Sequence, residues 1–169
     1  MISQLGTHEG KKIIFGFDHH MLPELEAYTA VLGRWGMVFS ATQSENPHYL
    51  SSTQAVCERV RGHHDMMGVL VCSTGMGISI AANKFSGIYA ARCLTVEDAQ
   101  LSRTINNSNV LCLSLRATLA VNEQIIESFM TTAYEGRKLE QLSRITMFEH
   151  ELEPAASAAV PARARFKSV

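Results

Sequence analysis

Five short apolar runs, separated by segments with helical spacing, constrain the fold of this 169-residue chain most strongly. Each run has the length and composition of a buried strand, as in Val69-Leu70-Val71. Strands that alternate with helices form a parallel sheet with helices on both faces. The sequence therefore predicts an α/β fold, a three-layer sandwich around a five-stranded parallel sheet of Rossmann-like type. The predicted strands are Lys12–Phe17, Met37–Phe39, Gly68–Cys72, Gly87–Cys93 and Asn109–Leu113.

The segments between these runs carry apolar residues at helical intervals. The first of them places Tyr28, Val31 and Leu32 on one face. Residues 1–153 are predicted to form a single domain, and residues 154–169, rich in Ala, Ser, Pro and Arg, to form a C-terminal tail without a fold. The predicted helices are Pro23–Trp35, Ser51–Val60, Val96–Ile105, Leu119–Thr131 and Lys138–Phe148.

The composition argues against several classes of protein. The net charge of −1 gives no reason to expect a nucleic-acid partner, and no apolar run approaches the roughly 20 residues of a membrane-spanning helix. Residues 1–10 lack an apolar signal core, so the chain is expected to be cytoplasmic. None of the four cysteines forms a CxxC pair, so we expect no metal, and Cys57, Cys93 and Cys112 are expected to be buried, reduced thiols.

The fourth cysteine stands before a glycine turn. Cys72 closes the third predicted strand, and Gly75-Met76-Gly77 turns the chain into a short helical segment. Such a turn aims several backbone N–H groups at one point, which suits an anion. The spacing fits neither a Walker loop, because Lys84 lies too far from Gly77, nor the GxGxxG fingerprint, which needs a third glycine. A bound nucleotide is therefore not predicted.

Two chemistries are open to a cysteine at this turn. It can act as the nucleophile of a hydrolase, with a histidine such as His19 as its base. It can also act as a general base that removes a proton alpha to a sugar carbonyl, while the amides of residues 75–79 stabilise the enediolate. A thiol with an ordinary pKa of about 8.5 becomes a competent base when a helix terminus lowers that pKa. Asp18 and His19 follow the first predicted strand, at the sheet edge where ligands collect.

The segment Cys72–Lys84, together with Gly87–Ala91, resembles the core motif of the type B ribose-5-phosphate isomerases and galactose-6-phosphate isomerases. Asp18-His19, the segment Asn106–Leu111 and Arg116 match as well, and the resemblance covers residues 12–150. It implies isomerisation of a phosphorylated aldose and ketose through a cis-enediolate, without a metal or another cofactor. It also implies a homodimer or homotetramer whose active sites lie between subunits.

The resemblance assigns roles to individual residues. Cys72 is the proton-transferring base, and Thr74 assists ring opening or contacts the reacting oxygens. Asp18 contacts a sugar hydroxyl, and His19 contacts a hydroxyl or the phosphate. Asn106 holds a substrate oxygen. Arg116 and Arg137, donated by the neighbouring subunit, hold the phosphate. The anion hole is formed by five backbone amides, those of Gly75, Met76, Gly77, Ile78 and Ser79.

Three departures from the family pattern bear on the substrate. Ile105 stands where the family usually has a ring-opening histidine, Gln141 replaces a second arginine, and Ser73 replaces a glycine. A tetrulose 4-phosphate would need no such histidine, because its esterified O4 cannot close a furanose. One subunit of a hetero-oligomeric galactose-6-phosphate isomerase would receive the histidine from its partner, and in a self-sufficient ribose-5-phosphate isomerase His19 or His20 would supply the proton. A sugar-phosphate-binding protein without catalysis is the remaining alternative.

Overall fold

The computed structural model describes residues 3–151, so the predicted tail over residues 154–169 lies outside the described residues. The five strands are β1 (Lys12–Phe17), β2 (Val38–Ser40), β3 (Met66–Cys72), β4 (Ala90–Arg92) and β5 (Val110–Ser114). They form one sheet in the order β2-β1-β3-β5-β4, and every neighbouring pair is parallel. The predicted five-stranded parallel sheet is confirmed.

Within residues 3–151, six α-helices and one 3-10 helix connect and follow the strands. The 3-10 helix spans His19–Glu24. Thr95 and Asp98 form a capping box at the start of the fourth α-helix, since each side chain accepts the other's backbone N–H, at 3.1 and 3.0 Å. No helix within residues 3–151 is long and apolar enough to cross a bilayer. The α-helices are α1 (Leu25–Gly33), α2 (Tyr49–Val60), α3 (Met76–Ala82), α4 (Val96–Thr104), α5 (Leu119–Thr131) and α6 (Leu139–Glu151).

Successive side chains of each strand point to opposite faces of the sheet, and each face has its own core. Phe15, Val69 and Leu111 pack with buried residues of α1, α4 and α5 on one face. Leu70 and Cys72 pack with buried residues of α2 and α3 on the other. This arrangement is the predicted three-layer sandwich, with the cysteine on the α2–α3 face.

The strand order creates a switch point between β1 and β3. These strands are neighbours, but the chain leaves β1 toward β2 at one side and leaves β3 toward β4 at the other. In open α/β sheets a ligand crevice forms at the carboxyl ends of strands at such a point. Asp18 follows β1 and donates its backbone N–H to the Val71 carbonyl at 3.2 Å. The fold therefore brings Asp18 beside Cys72.

Most predicted bounds shift by one to three residues, and two predicted elements differ from the structure by more. The fourth strand is shorter than Gly87–Cys93, because the residues before Ala90 bond outside the strand ladder. The Ile88 N–H donates to the Phe85 carbonyl at 3.1 Å, and the Tyr89 N–H donates to Asn109 Oδ1 at 2.9 Å. The first predicted helix begins as the 3-10 helix, because the Asp18 carboxylate caps the chain by accepting the backbone N–H of His20.

Candidate active site

The Cys72 sulfur lies at the carboxyl end of β3, inside the glycine turn. The backbone N–H of Gly75 donates to Sγ, with 3.2 Å between the two atoms, and the residue is 5% exposed. Gly75 has φ of 72°, a left-handed conformation that favours glycine. A Cβ there would lie 3.2 Å from the carbonyl oxygen of Leu113. The turn therefore depends on this glycine to wrap around the sulfur.

The start of α3, which follows the glycine turn, leaves two backbone N–H groups without an acceptor among the described residues. Of the five amides that the resemblance assigns to the anion hole, those of Gly75, Met76 and Ser79 donate to Cys72 Sγ, Thr74 Oγ1 and the Gly75 carbonyl. The amides of Gly77 and Ile78 meet no acceptor within the described part of the chain. Unpaired N–H groups at the start of a helix are donors for an anion. Two of the five amides assigned to the anion hole are therefore unbonded in the described structure, and the anion hole itself stays a prediction.

The other three cysteines are free, buried thiols, as predicted. Burial raises the pKa of Cys57 and of Cys93 to about 12, and it raises the pKa of Cys112 well above its ordinary value. These thiols remain protonated near neutral pH and cannot act as bases. No group of three or more His, Cys, Asp or Glu side chains in the described region is placed to hold a metal ion.

Asp18 and two histidines occupy the edge next to Cys72. The Asp18 carboxylate is buried, accepts the backbone N–H of His20 through Oδ1 at 3.1 Å, and pairs through Oδ2 with His20 Nδ1 at 3.3 Å. The His19 ring is exposed and stacks on the His20 ring with 4.0 Å between centroids. A buried carboxylate and two imidazoles therefore lie at the predicted ligand edge.

Arg116 lies at the same edge of the sheet. It follows β5, whose Ser114 pairs with Cys72, and its backbone N–H donates to Ser114 Oγ at 3.1 Å. Its side chain is exposed. The backbone of Arg116 therefore lies at the edge of the sheet that carries the same chain's Cys72, and the assignment of its side chain to the phosphate site of a neighbouring subunit stays a prediction.

Asn106 and Arg137 lie at the opposite edge. Asn106 precedes β5, whose Val110 pairs with Gly68. The four-residue step from Gly68 to Cys72, about 13 Å along β3, therefore separates Asn106 from Cys72. Arg137 lies three residues after Tyr134, which pairs with Gly6 in an isolated β-bridge. The segment around Gly6 crosses the amino edge of the sheet, where the strands begin. One chain therefore does not bring Asn106 or Arg137 to its own Cys72.

Two residues that hold the turn were not predicted from the sequence. Arg92, the last residue of β4, donates from Nε to the Thr74 carbonyl at 2.9 Å, which fixes a cation beside the turn. The ring of Tyr49 packs so closely on Gly77 that a Cβ there would lie 3.0 Å from it. A charged residue at the end of an apolar run was the available signal for Arg92, and no pattern marked Tyr49.

Comparison with known proteins places the chain among sugar isomerases. The ribose/galactose isomerase family profile matches residues 13–147. The sequence is 37% identical over 147 residues to ribose-5-phosphate isomerase B of Escherichia coli, which covers 82% of this chain and 97% of that protein. It is 31% identical over 109 residues to D-erythrulose-4-phosphate isomerase of Pectobacterium atrosepticum, covering 63% of this chain and 72% of that protein.

A solved structure agrees with the sequence matches. The type B ribose 5-phosphate isomerase of Leishmania infantum superposes with a TM-score of 0.76 and 35% identity, covering 84% of this chain and 98% of that one. Fold, sequence and profile point to one family. The chain therefore belongs to the ribose/galactose isomerase family of sugar-phosphate aldose–ketose isomerases, which are intramolecular oxidoreductases.

Proposed function

We propose that the chain interconverts ribose 5-phosphate and ribulose 5-phosphate by metal-free proton transfer through a cis-enediolate. The observation that carries the proposal is the Cys72 sulfur, 3.2 Å from the Gly75 amide, in a turn that is followed at once by the unbonded amides of Gly77 and Ile78 at the start of α3. A base beside a set of fixed donors is the arrangement that enolisation requires. The similarity to ribose-5-phosphate isomerase B supports the choice of pentose.

The Cys72 thiolate removes the proton from C2 of the open-chain aldose. The electron pair of the C–H bond forms the C1–C2 double bond, and negative charge develops on O1, toward which the amides of Gly77 and Ile78 point in this scheme. The Thr74 hydroxyl, half-buried at the rim, contacts the reacting oxygens. A proton moves from O2 to O1, and Cys72 returns its proton to C1, which gives the ketose.

The complete site is built from two chains in this proposal. One copy supplies its carboxyl edge, with Cys72, Arg116 and the imidazole of His19, and a second copy supplies Asn106 and Arg137 from its amino edge. The guanidinium groups bind the phosphate, because their forked donors match its oxygens. The separation of the two edges within one chain supports this arrangement.

Mixed subunits test the two-chain site. Cys72→Ala and Arg137→Ala chains, each inactive or weak alone, are refolded together in equal amounts. A hybrid dimer contains one site with both native residues, so about a quarter of the wild-type turnover should return. No gain in turnover for a mixture shown by mass spectrometry to contain hybrids would place both residues in one chain's site.

A tetrulose 4-phosphate isomerase is the second candidate. It is favoured by Ile105, an apolar side chain that cannot move a proton, at the position of the family's ring-opening histidine. A third arrangement, one subunit of a hetero-oligomeric galactose-6-phosphate isomerase, accounts for the same residue. Purified protein is assayed alone with ribose 5-phosphate, erythrulose 4-phosphate and galactose 6-phosphate. Turnover of ribose 5-phosphate supports the main proposal, turnover of the tetrulose alone supports the second, and no turnover supports a missing subunit.

A further inference from the structure

The cluster of Asp18, His19 and His20 at the carboxyl edge contains a proton-transfer group that the chemistry at carbon does not use. The Asp18 side chain is 8% exposed, and the His20 side chain, 3.3 Å from it, is 52% exposed. We propose that His20, oriented by Asp18, transfers the proton that opens the sugar ring. This inference rests on the proposed ribose 5-phosphate activity.

The reaction at carbon requires an open chain. Ribose 5-phosphate in water is a furanose closed through O4, and its C2 proton becomes acidic only when C1 is a free aldehyde. Ring opening needs a group that accepts one proton and donates another at neutral pH. Arg116 cannot do this, because a guanidinium does not lose its proton in proteins. Cys72 already serves as the base at the substrate carbons in the proposed mechanism. Imidazole is the side chain whose ordinary pKa suits both directions.

Among the histidines near this edge, His20 has the geometry of an oriented acid–base group. Its Nδ1 faces the Asp18 carboxylate, so Nδ1 carries the proton and Nε2 is the acceptor. Within residues 3–151, Nε2 makes no hydrogen bond. His48 instead accepts the Leu50 N–H through Nδ1 at 3.3 Å, and neither His48 nor His19 pairs with a carboxylate in the described chain.

The position of His20 brings this group to the sugar. Phe17 pairs with Val71, so Asp18 lies beside Cys72 on the neighbouring strand, about 4.8 Å away across the sheet. The Asp18 carboxylate holds His20 through both its backbone N–H and its ring. The ring therefore lies within reach of a sugar whose C2 meets the Cys72 sulfur.

The proton transfer balances within one imidazole. His20 Nε2 takes the proton of the anomeric O1–H, and the O–H electron pair becomes the second bond of the C1 aldehyde. The C1–O4 bond breaks, its electron pair moves to O4, and O4 takes the proton back from Nε2. His20 ends in its starting state, and Asp18 stabilises the imidazolium in between.

A comparison of ribose 5-phosphate with ribulose 5-phosphate distinguishes ring opening from any other role of His20. Ribulose 5-phosphate cannot close a furanose, because O5 carries the phosphate, so deuterium exchange from D2O at its C1 does not need ring opening. His20→Gln keeps a hydrogen bond to Asp18 but cannot carry a proton. We expect turnover of ribose 5-phosphate to fall about 100-fold or more, while exchange at C1 of ribulose 5-phosphate stays within about threefold of wild type.

Enzyme concentration gives a second readout. With His20→Gln, the rate from ribose 5-phosphate should stop rising with added enzyme, because spontaneous ring opening becomes limiting. The matched control is His64→Gln, since the His64 side chain is exposed and makes no hydrogen bond within the described residues, where only its carbonyl accepts a bond, from Gln4. This control should behave as wild type with both sugars.

The failures of the two proposals are distinguishable. Wild-type protein that neither isomerises ribose 5-phosphate nor exchanges ribulose 5-phosphate would overturn the proposed function, and this inference with it. Active wild type with an unaffected His20→Gln variant would overturn the inference alone. An equal loss of turnover and exchange in His20→Gln would also overturn it, because His20 would then serve binding or the step at carbon.

Discussion

Replacement of Gly75 by alanine tests whether the turn around Cys72 is held by backbone conformation. Gly75 has φ of 72°, and an alanine in the left-handed region costs about 1–2 kcal/mol. The new Cβ would lie 3.2 Å from the Leu113 carbonyl oxygen and 3.3 Å from Arg92 Nε, so the turn must shift by a few tenths of an ångström. This contact adds about 1 kcal/mol or more.

Gly62→Ala is the matched control for conformation. Gly62 has φ of 80°, and a Cβ there meets nothing within 4 Å. Urea denaturation should give a loss of about 1–2 kcal/mol for Gly62→Ala and about 2–4 kcal/mol for Gly75→Ala. The kcat should be unchanged for Gly62→Ala and lowered about 10- to 100-fold for Gly75→Ala, because the amide that contacts Cys72 Sγ moves.

Two outcomes of this comparison would refute the reasoning. Equal stability losses for the two variants would show that the space around Gly75 adapts without cost. Full kcat for Gly75→Ala would show that catalysis does not depend on the position of this turn.

Three further predictions concern the phosphate site, a buried histidine and the cysteines. Arg137→Ala should raise KM about tenfold or more and change kcat less, and an unchanged KM in initial-rate assays would remove Arg137 from the phosphate site. Burial and nearby positive charges hold the pKa of His8 well below 6.5. Below about pH 6.5 the unfolded chain therefore binds a proton at His8 that the native state does not bind. The free energy of unfolding should therefore fall by about 1.4 kcal/mol per pH unit below about pH 6.5, and His8→Gln should reduce this slope. A thiol reagent at pH 8 should modify Cys72 before Cys57 or Cys93 in peptide mapping, since burial raises the pKa of both of the latter to about 12, and earlier labelling of either would contradict this account.

Much of the fold could be predicted because local signals agree with packing. The helix over residues 119–131 has the bounds that its apolar spacing predicts, with Ile125, Ile126 and Phe129 buried on one face. The fourth strand was predicted too long, because its start depends on the Asn109 side chain, which accepts the Tyr89 N–H from 20 residues further along the chain. Such a side-chain cap leaves no mark in hydrophobic periodicity.

The candidate site was predictable only where it follows the chain. Cys72 and its glycine turn are contiguous, and Asp18 could be placed beside them because parallel strands end at one edge. The position of Arg92 could not be inferred, since it depends on the pairing of β4 with β5 and on a long side chain that reaches Thr74. The placement of Arg116 beside Cys72 depends likewise on strand order, which the sequence did not provide.

The central claim is that the Cys72 sulfur carries the proton between the carbons of a phosphorylated sugar. The most direct measurement is deuterium incorporation from D2O at C1 of ribulose 5-phosphate, followed by proton NMR, with Cys72→Ala against the buried-thiol control Cys57→Ala. Exchange should be abolished in Cys72→Ala and retained in Cys57→Ala. Exchange at the wild-type rate in folded Cys72→Ala would contradict the claim and place the base elsewhere.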